Sequence, residues 1–306
     1  MFWQKWLTPK PFNSGWLPAK DGHEIYFAEF GNPQGTPVIF FHGGPGGSCK
    51  AKYAQSINLR KYRAVMFDQR GCGQSRPLGK TDKNTTQDLL DDVTRLLAYL
   101  NIKDKVILRG ASWGSTLALL WAEKNPQRVD KLLLSQVFLA NKDYNDWEFN
   151  GNRYCYPEFV ADIEKKSSGK IKSYYNKLIQ SDNRRQQLEA ANHYGWFERV
   201  CGSMQPSFAS FTELSPQELA SQRIFMHYAA HNFFLSDNDI LDNINKIKDI
   251  KAVIVHNRID FIAPLKGAWD IHQALPKSEL VIVPDFGHVS KKLQQTIQKE
   301  FNRALK

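Results

Sequence analysis

The chain has 306 residues, a net charge of +10 and 42% hydrophobic residues, enough for one large α/β domain or for a core with an inserted subdomain. No apolar run approaches the roughly 18 residues a membrane helix needs. The basic residues fall in short doublets separated by acids, with no nucleic-acid-binding signature, so the positive balance reads as a solvated surface.

The N-terminal stretch carries aromatics and two lysines but no apolar core or small-residue cleavage site, so no secretory leader is expected. Residues 14–41 read as two or three strands. Glu24–Phe30 is rich in β-formers, Gly31-Asn32-Pro33-Gln34-Gly35 is a turn, and Val38–Phe41 is a short apolar run of the buried kind. His42-Gly43-Gly44-Pro45-Gly46-Gly47 follows directly. It lacks the Lys-Ser/Thr of a P-loop and the spacing of a dinucleotide fingerprint, so neither nucleotide version fits. Arg63–Phe67 is another buried strand. Thr85 with Asp88 three positions on is a helix start, and Leu89, Leu90, Val93, Leu96, Leu97 and Leu100 form one helical stripe.

Val106–Leu108 leads into Gly110-Ala111-Ser112-Trp113-Gly114, and a helix-forming run follows. Strand, sharp turn and helix with serine at the apex is the arrangement that exposes a nucleophilic Oγ. The five-residue pattern alone is weak, and its context carries the argument. Lys131–Leu134 is the next buried strand. From 140 to 248 no apolar β run occurs, and aromatic-rich helical patterns take over, so this segment reads as a helical cap inserted into a core of residues 1–139 and 249–306. The sheet resumes at Ala252–Val255, then come a helix from about Lys266, a strand Leu280–Val283 and a closing helix with Leu293, Ile297, Phe301 and Leu305 at a four-residue step. Strands alternating with helices predict a mostly parallel, doubly wound sheet covered on both faces.

Three residue types at three strand ends carry the chemistry. Ser112 is a weak nucleophile until a base takes its proton, and His288, just past the last strand, is placed to do so. The base needs an acid to fix its tautomer. Asp260, past the preceding strand, is preferred, and Asp285, three residues before His288, is the rival. The oxyanion of a tetrahedral intermediate needs two backbone N–H donors. One is that of Trp113; the other comes from the glycine loop, Gly44 in preference to Gly43. His42 is expected to pack under that loop. His193, His227 and His231 lack metal-ligand spacing, and the four scattered cysteines, with no C-x-x-C, fit a reducing cytosol rather than a disulfide framework or zinc site.

Taken together, His42–Gly47, Phe67-Asp68-Gln69-Arg70-Gly71-Cys72-Gly73-Gln74-Ser75 and Ala111-Ser112-Trp113-Gly114-Ser115-Thr116-Leu117-Ala118-Leu119 resemble the proline iminopeptidase (prolyl aminopeptidase) family of α/β-hydrolases along almost the whole chain. The resemblance implies an α/β-hydrolase fold with an inserted helical cap. It implies a serine exopeptidase that releases an N-terminal residue, preferentially proline, through an acyl-enzyme, without metal or organic cofactor and with free-amine peptides as its partners; the cysteine pattern adds the expectation that it is cytoplasmic. It assigns Glu198 to the substrate amine and Phe138 to the substrate ring. The family's second cap glutamate is replaced by Phe225, a usual aromatic by Ala229, and the cysteine common beside the acid is absent from Asp260-Phe261-Ile262-Ala263-Pro264. The alternative is a related esterase or amidase that does not require a free amine.

Overall fold

The computed structural model describes residues 8–204 and 209–306; the first seven residues, part of the stretch read for a leader, lie outside it. Eight strands form one sheet in the order β1-β2-β4-β3-β5-β6-β7-β8. They are β1 (Asn13–Lys20), β2 (His23–Gly31), β3 (Thr36–Phe41), β4 (Tyr62–Phe67), β5 (Val106–Ala111), β6 (Val129–Ser135), β7 (Lys251–Ile259) and β8 (Ser278–Phe286). β1 and β2 pair antiparallel at one edge, and the six strands from β4 to β8 in that order run parallel. The expectation of a mostly parallel sheet holds, with the antiparallel edge supplied by β1 and β2.

Helices α1 (Thr86–Tyr99) and α2 (Trp113–Lys124) cover one face. The stripe of Leu89, Leu90, Val93, Leu96 and Leu97 packs there with Leu117 and Trp121 of α2 against Ile39, Val65 and Leu108. α1 begins with a complete capping box, Thr85 and Asp88 satisfying each other's backbone N–H.

Between β6 and β7 the described residues form helices and no strand. It comprises α3 (Lys142–Asp146), a π-helical turn (Trp147–Gly151), α4 (Pro157–Ser167), α5 (Ile171–Gln180), α6 (Arg184–Ser203), α7 (Pro216–Ala230) and α8 (Asp239–Asn243). These helices have an apolar centre of their own, with Ile163, Tyr175, Ile179, Tyr194 and Met226 all buried. α9 (Leu265–Ala274) and α10 (Lys291–Ala304) complete the chain. α10 lies on the opposite face, where Leu293, Ile297, Phe301 and Leu305 bury themselves against Val38, Ala64 and Val255.

The sheet positions the chemistry through its connectivity. β3 lies between β4 and β5, so the chain leaves β3 towards one edge and returns at β5 on the other side. In a doubly wound sheet such a switch point opens a crevice at the carboxyl ends of the strands. Phe41 is in register with Gly110 there. The glycine loop after β3 therefore meets the serine turn after β5.

Candidate active site

Ser112 sits at φ 56°, ψ −128°, a strained conformation held between β5 and α2. The turn is possible because both flanking glycines are crowded: a Cβ on Gly114 would lie 2.1 Å from the Phe41 carbonyl oxygen, and one on Gly110 2.4 Å from that of Gly114. The Ser112 N–H donates to Ser135 O (3.1 Å) and its carbonyl accepts from the Ser115 N–H (2.7 Å). The hydroxyl is left to face His288, with Ser112 Oγ 2.9 Å from His288 Nε2.

His288 Nδ1 is 2.7 Å from Asp260 Oδ2. The other Asp260 oxygen accepts the backbone N–H groups of Ile262 and Ala263, both at 2.9 Å. Burial pushes the Asp260 carboxyl up, but the His288 charge and hydrogen bond, with His256 and the Ala263 amide, more than offset that and hold it below its ordinary value. An acid that remains ionised fixes His288 with its proton on Nδ1 and its lone pair on Nε2, aimed at the serine.

Asp285 has a different place. β8 runs on to Phe286, so Asp285 stands on the strand and not on the tight loop after Val283. Its Oδ2 accepts the Ser290 hydroxyl at 2.6 Å, and that hydroxyl caps α10. Three further bonds secure the histidine loop: Gly202 O accepts the His288 N–H (2.7 Å), Gln136 Nε2 donates to His288 O (2.6 Å), and Asn257 Nδ2 donates to Gly287 O (2.7 Å).

The glycine loop lies over the serine. A Cβ on Gly43 would be 3.2 Å from Ser112 Cβ. His42 is buried beneath the loop, as its sequence position suggests. Its Nε2 accepts the Gln69 N–H (3.0 Å) and its Nδ1 donates to Gly43 O (2.9 Å). Burial lowers its pKa, so it is a neutral structural histidine. Gln69 does more than the sequence suggested: its amide donates to His42 O (2.9 Å) and accepts the Trp113 indole N–H (3.0 Å). One side chain thus ties the glycine loop to the first residue of α2. The N–H of Trp113 belongs to the first turn of that helix, where backbone donors have no intrahelical partner and the dipole favours negative charge.

The inserted helices close over this centre. α7 presses on the glycine loop, where a Cβ on Gly46 would meet Ser221 O at 2.4 Å. It is also anchored through Tyr228 Oη to Asn84 Oδ1 (2.8 Å). Phe138 is held by two bonds to α2, its N–H donating to Ser115 Oγ (3.1 Å) and its carbonyl accepting from Thr116 Oγ1 (2.5 Å). Its ring meets Tyr144 (4.4 Å between centroids) and Phe233 (5.1 Å), and Phe233 in turn meets Trp113 (5.6 Å). Asn232, Phe233 and Phe234 are three successive non-glycine residues at φ near +50°; that turn drives Phe233 into the aromatic wall. No sequence periodicity marks Phe233 or Tyr144.

Glu198 lies on α6, whose last turn holds the His288 amide through Gly202. Burial, then the nearby Glu148 carboxylate, raise its pKa, and Lys172 only partly counters them, leaving it at about 8. Phe225 stands beside Tyr194 of α6 (5.9 Å) as an apolar wall. A separate cleft of about 440 Å³, lined by Lys131, Lys251, Lys277 and Ser278, opens at the opposite, amino-terminal ends of β6–β8 and touches none of Ser112, Asp260 or His288.

Residues 36–292 match the model of the alpha/beta hydrolase fold family. The chain is 36% identical to a proline iminopeptidase of Arabidopsis thaliana, covering 91% of this chain and 76% of that protein. It is 36% identical to one of Xylella fastidiosa, covering 91% of each, and 37% identical to one of Neisseria gonorrhoeae, covering 90% of each. Among solved structures, an esterase from Rhodococcus superposes with a TM-score of 0.61 at 17% identity, covering 95% of this chain and 98% of that one. A bromoperoxidase from Bacillus anthracis superposes with a TM-score of 0.58 at 22% identity, covering 96% and 98%. These two share the fold alone. The matched length, the identity and the serine-to-strand-end geometry agree: the chain belongs to the proline iminopeptidase family of the α/β-hydrolase superfamily.

Proposed function

We propose that the chain is a serine exopeptidase that releases an N-terminal residue, preferentially proline, from peptides. The observation that carries the peptidase reading is Glu198, a carboxylate held inside the helical cap (residues 140–248) on the helix bonded to the base's own loop. A free N-terminal ammonium needs such a partner, and the wall of Phe138, Tyr144 and Phe233 suits an apolar pyrrolidine ring.

In this mechanism His288 Nε2 takes the proton of Ser112 Oγ as the oxygen attacks the carbonyl of the N-terminal residue. The N–H groups of Trp113 and Gly44 receive the developing oxyanion, a contribution of about 10²–10³ in kcat for one such donor. Asp260 stabilises the imidazolium, which then gives its proton to the departing peptide amine. Water, activated by the same histidine, releases the acyl group and restores Ser112.

No helix among the described residues is long and apolar enough to cross a membrane. The four cysteines are free, which supports the cytoplasm as the place of action.

Phe225 favours a second reading, an esterase or amidase that has lost the need for a free amine. Prolyl, alanyl and N-acetylprolyl anilides with a short acyl ester separate the two, Ser112→Ala being the blank. The exopeptidase reading expects prolyl anilide to lead, acetylation to remove the rate, and Glu198→Gln to cost prolyl anilide at least tenfold more than the ester. An ester that leads, with acetylation harmless, would overturn it.

A further inference from the structure

The cap holds a second buried carboxylate that neither the sequence motifs nor the family pattern assigns. Glu148 lies in the π-helical turn between α3 and α4 and is 3% exposed. Its Oε1 accepts the Tyr194 hydroxyl, and its Oε2 is 2.7 Å from Lys172 Nζ. Tyr194 and Glu198 are four residues apart on α6, so they share one face of that helix. The side chain that receives the Tyr194 hydroxyl therefore looks towards the stripe that carries Glu198.

The remaining neighbours complete the cluster. Lys172, near the start of α5, also donates to Asn145 Oδ1 (2.8 Å) and lies over the Tyr144 ring (5.7 Å). Tyr144 and Tyr194 are pushed well above the ordinary tyrosine range, first by burial and then by Glu148 and Glu198, and Cys201 is raised by burial and the same two acids. All three are neutral. The cluster thus holds two carboxyl groups and one ammonium, and that ammonium stands beside Glu148.

The turn that carries Glu148 is fastened to the acid loop of the active site. The Trp147 indole N–H donates to Phe261 O (2.9 Å), and Asn152 Nδ2 donates to the same oxygen (3.2 Å). Phe261 follows Asp260 directly. Glu148 and Glu198 are therefore each mounted on an element hydrogen-bonded to a catalytic loop, one to that of Asp260 and one to that of His288.

We propose that Glu148 is the second carboxylate of the amine-binding subsite, standing in for the one absent at Phe225, with Lys172 balancing one of the two negative charges so that the pocket accepts a single substrate ammonium. This rests on the free-amine reading above. A merely structural Glu148–Lys172 pair would be complete without Glu198; here Lys172 is committed to Glu148, and Glu198 stays mostly protonated while the pocket is empty. Such a carboxyl ionises when a cation joins it, and an N-terminal ammonium supplies that cation. Phe225 then acts as the apolar wall beside Tyr194.

The test uses the full-length enzyme and compares kcat and KM for prolyl anilide and for a short acyl ester in wild type, Glu148→Gln, Tyr194→Phe and Glu198→Gln. Losing a charge-assisted bond to the ammonium corresponds to roughly 10- to 100-fold. Glu148→Gln is expected to raise KM for prolyl anilide by that factor, with a loss at least tenfold greater than on the ester. Tyr194→Phe, which releases Glu148 without removing its charge, raises the same KM by a smaller factor and with the same selectivity. It keeps the question answerable if Glu148→Gln does not fold.

Equal losses on both substrates, or an unchanged KM for prolyl anilide in both variants, would overturn the proposal. Failure of the underlying reading looks different. In that case wild type itself would not distinguish prolyl from N-acetylprolyl anilide, and Glu198→Gln would show no selective loss.

Discussion

Replacing Asp260 by asparagine isolates what the acid does for the base. Asp260 is buried, and one of its oxygens is committed to two backbone donors, Ile262 and Ala263. An asparagine has one oxygen and one NH₂ group. Turning the NH₂ towards those two amides would leave buried donors facing a donor, at about 1–3 kcal/mol for each unsatisfied group. The oxygen therefore stays with the amides and the NH₂ faces His288. His288 Nδ1 must then accept, its proton moves to Nε2, and the nitrogen 2.9 Å from Ser112 Oγ can no longer take the serine's proton. The geometry survives while the tautomer is wrong. Such a change lowers kcat by about 10⁴, or about 5.4 kcal/mol. The assay is turnover of the best anilide, with fluorophosphonate labelling of Ser112 as a second readout. Asp285→Asn is the control: its half-buried carboxylate serves the Ser290 cap and does not touch His288's ring, so kcat should stay within about twofold. An Asp260→Asn enzyme within tenfold of wild type, or an Asp285→Asn enzyme as damaged as Asp260→Asn, would refute the assignment.

The raised pKa of Glu198, about 8, sets a pH dependence. Below that value the group is mostly neutral and offers the ammonium no charge. KM for prolyl anilide should therefore fall as pH rises from about 6 towards 8, then rise once the substrate amine, with an ordinary pKa of about 7.7–8.0, loses its proton. Glu198→Gln removes the first limb; identical profiles for prolyl anilide and the ester would contradict it. Linkage gives the matching stability effect. The folded pKa lies above the unfolded value, so the contribution of the neutral group is complete at low pH and is lost as pH climbs through 8. Glu198→Gln should thus gain in Tm relative to wild type between pH 6 and pH 9, and a constant difference would count against this. Arg70, fully buried, is held by Asp92 through Nε (2.6 Å) and Nη2 (3.0 Å). Asp92→Asn removes the two-point carboxylate partner and leaves Arg70 with only the looser ion pairs to Asp88 and Asp21, at 3.5 and 3.6 Å. It should cost about 3 kcal/mol, read as a lower urea midpoint; an unchanged midpoint would show that those two acids suffice.

The three side chains proposed to attack, accept and hold the proton could be picked out in the chain because each follows an apolar strand, and a strand end in a parallel sheet faces the crevice. Ser112, Asp260 and His288 could be named before any contact was known, as could the glycine loop, since local geometry demands glycine there. Gln69 could be quoted from its motif but not understood, because its work is to join His42 to Trp113, far apart in sequence.

The helical stretch between β6 and β7 was legible as a change of rhythm, with aromatic helical patterns replacing apolar β runs. Which of its acids face one another was not. Glu148 sits in a short π-helical turn with no repeating pattern, and only the packing of that turn against α5 and α6 brings it to Lys172 and Tyr194. Asp260 and Asp285 likewise look equivalent in sequence. They differ because one is buried against two amides and His288 while the other, half-buried, serves the start of α10. Strand, turn and helix follow from short-range patterns of shape and polarity, which the chain carries in its order. Burial, and with it the charge state of a carboxylate, depends on which distant segments exclude water, and only the tertiary structure decides that.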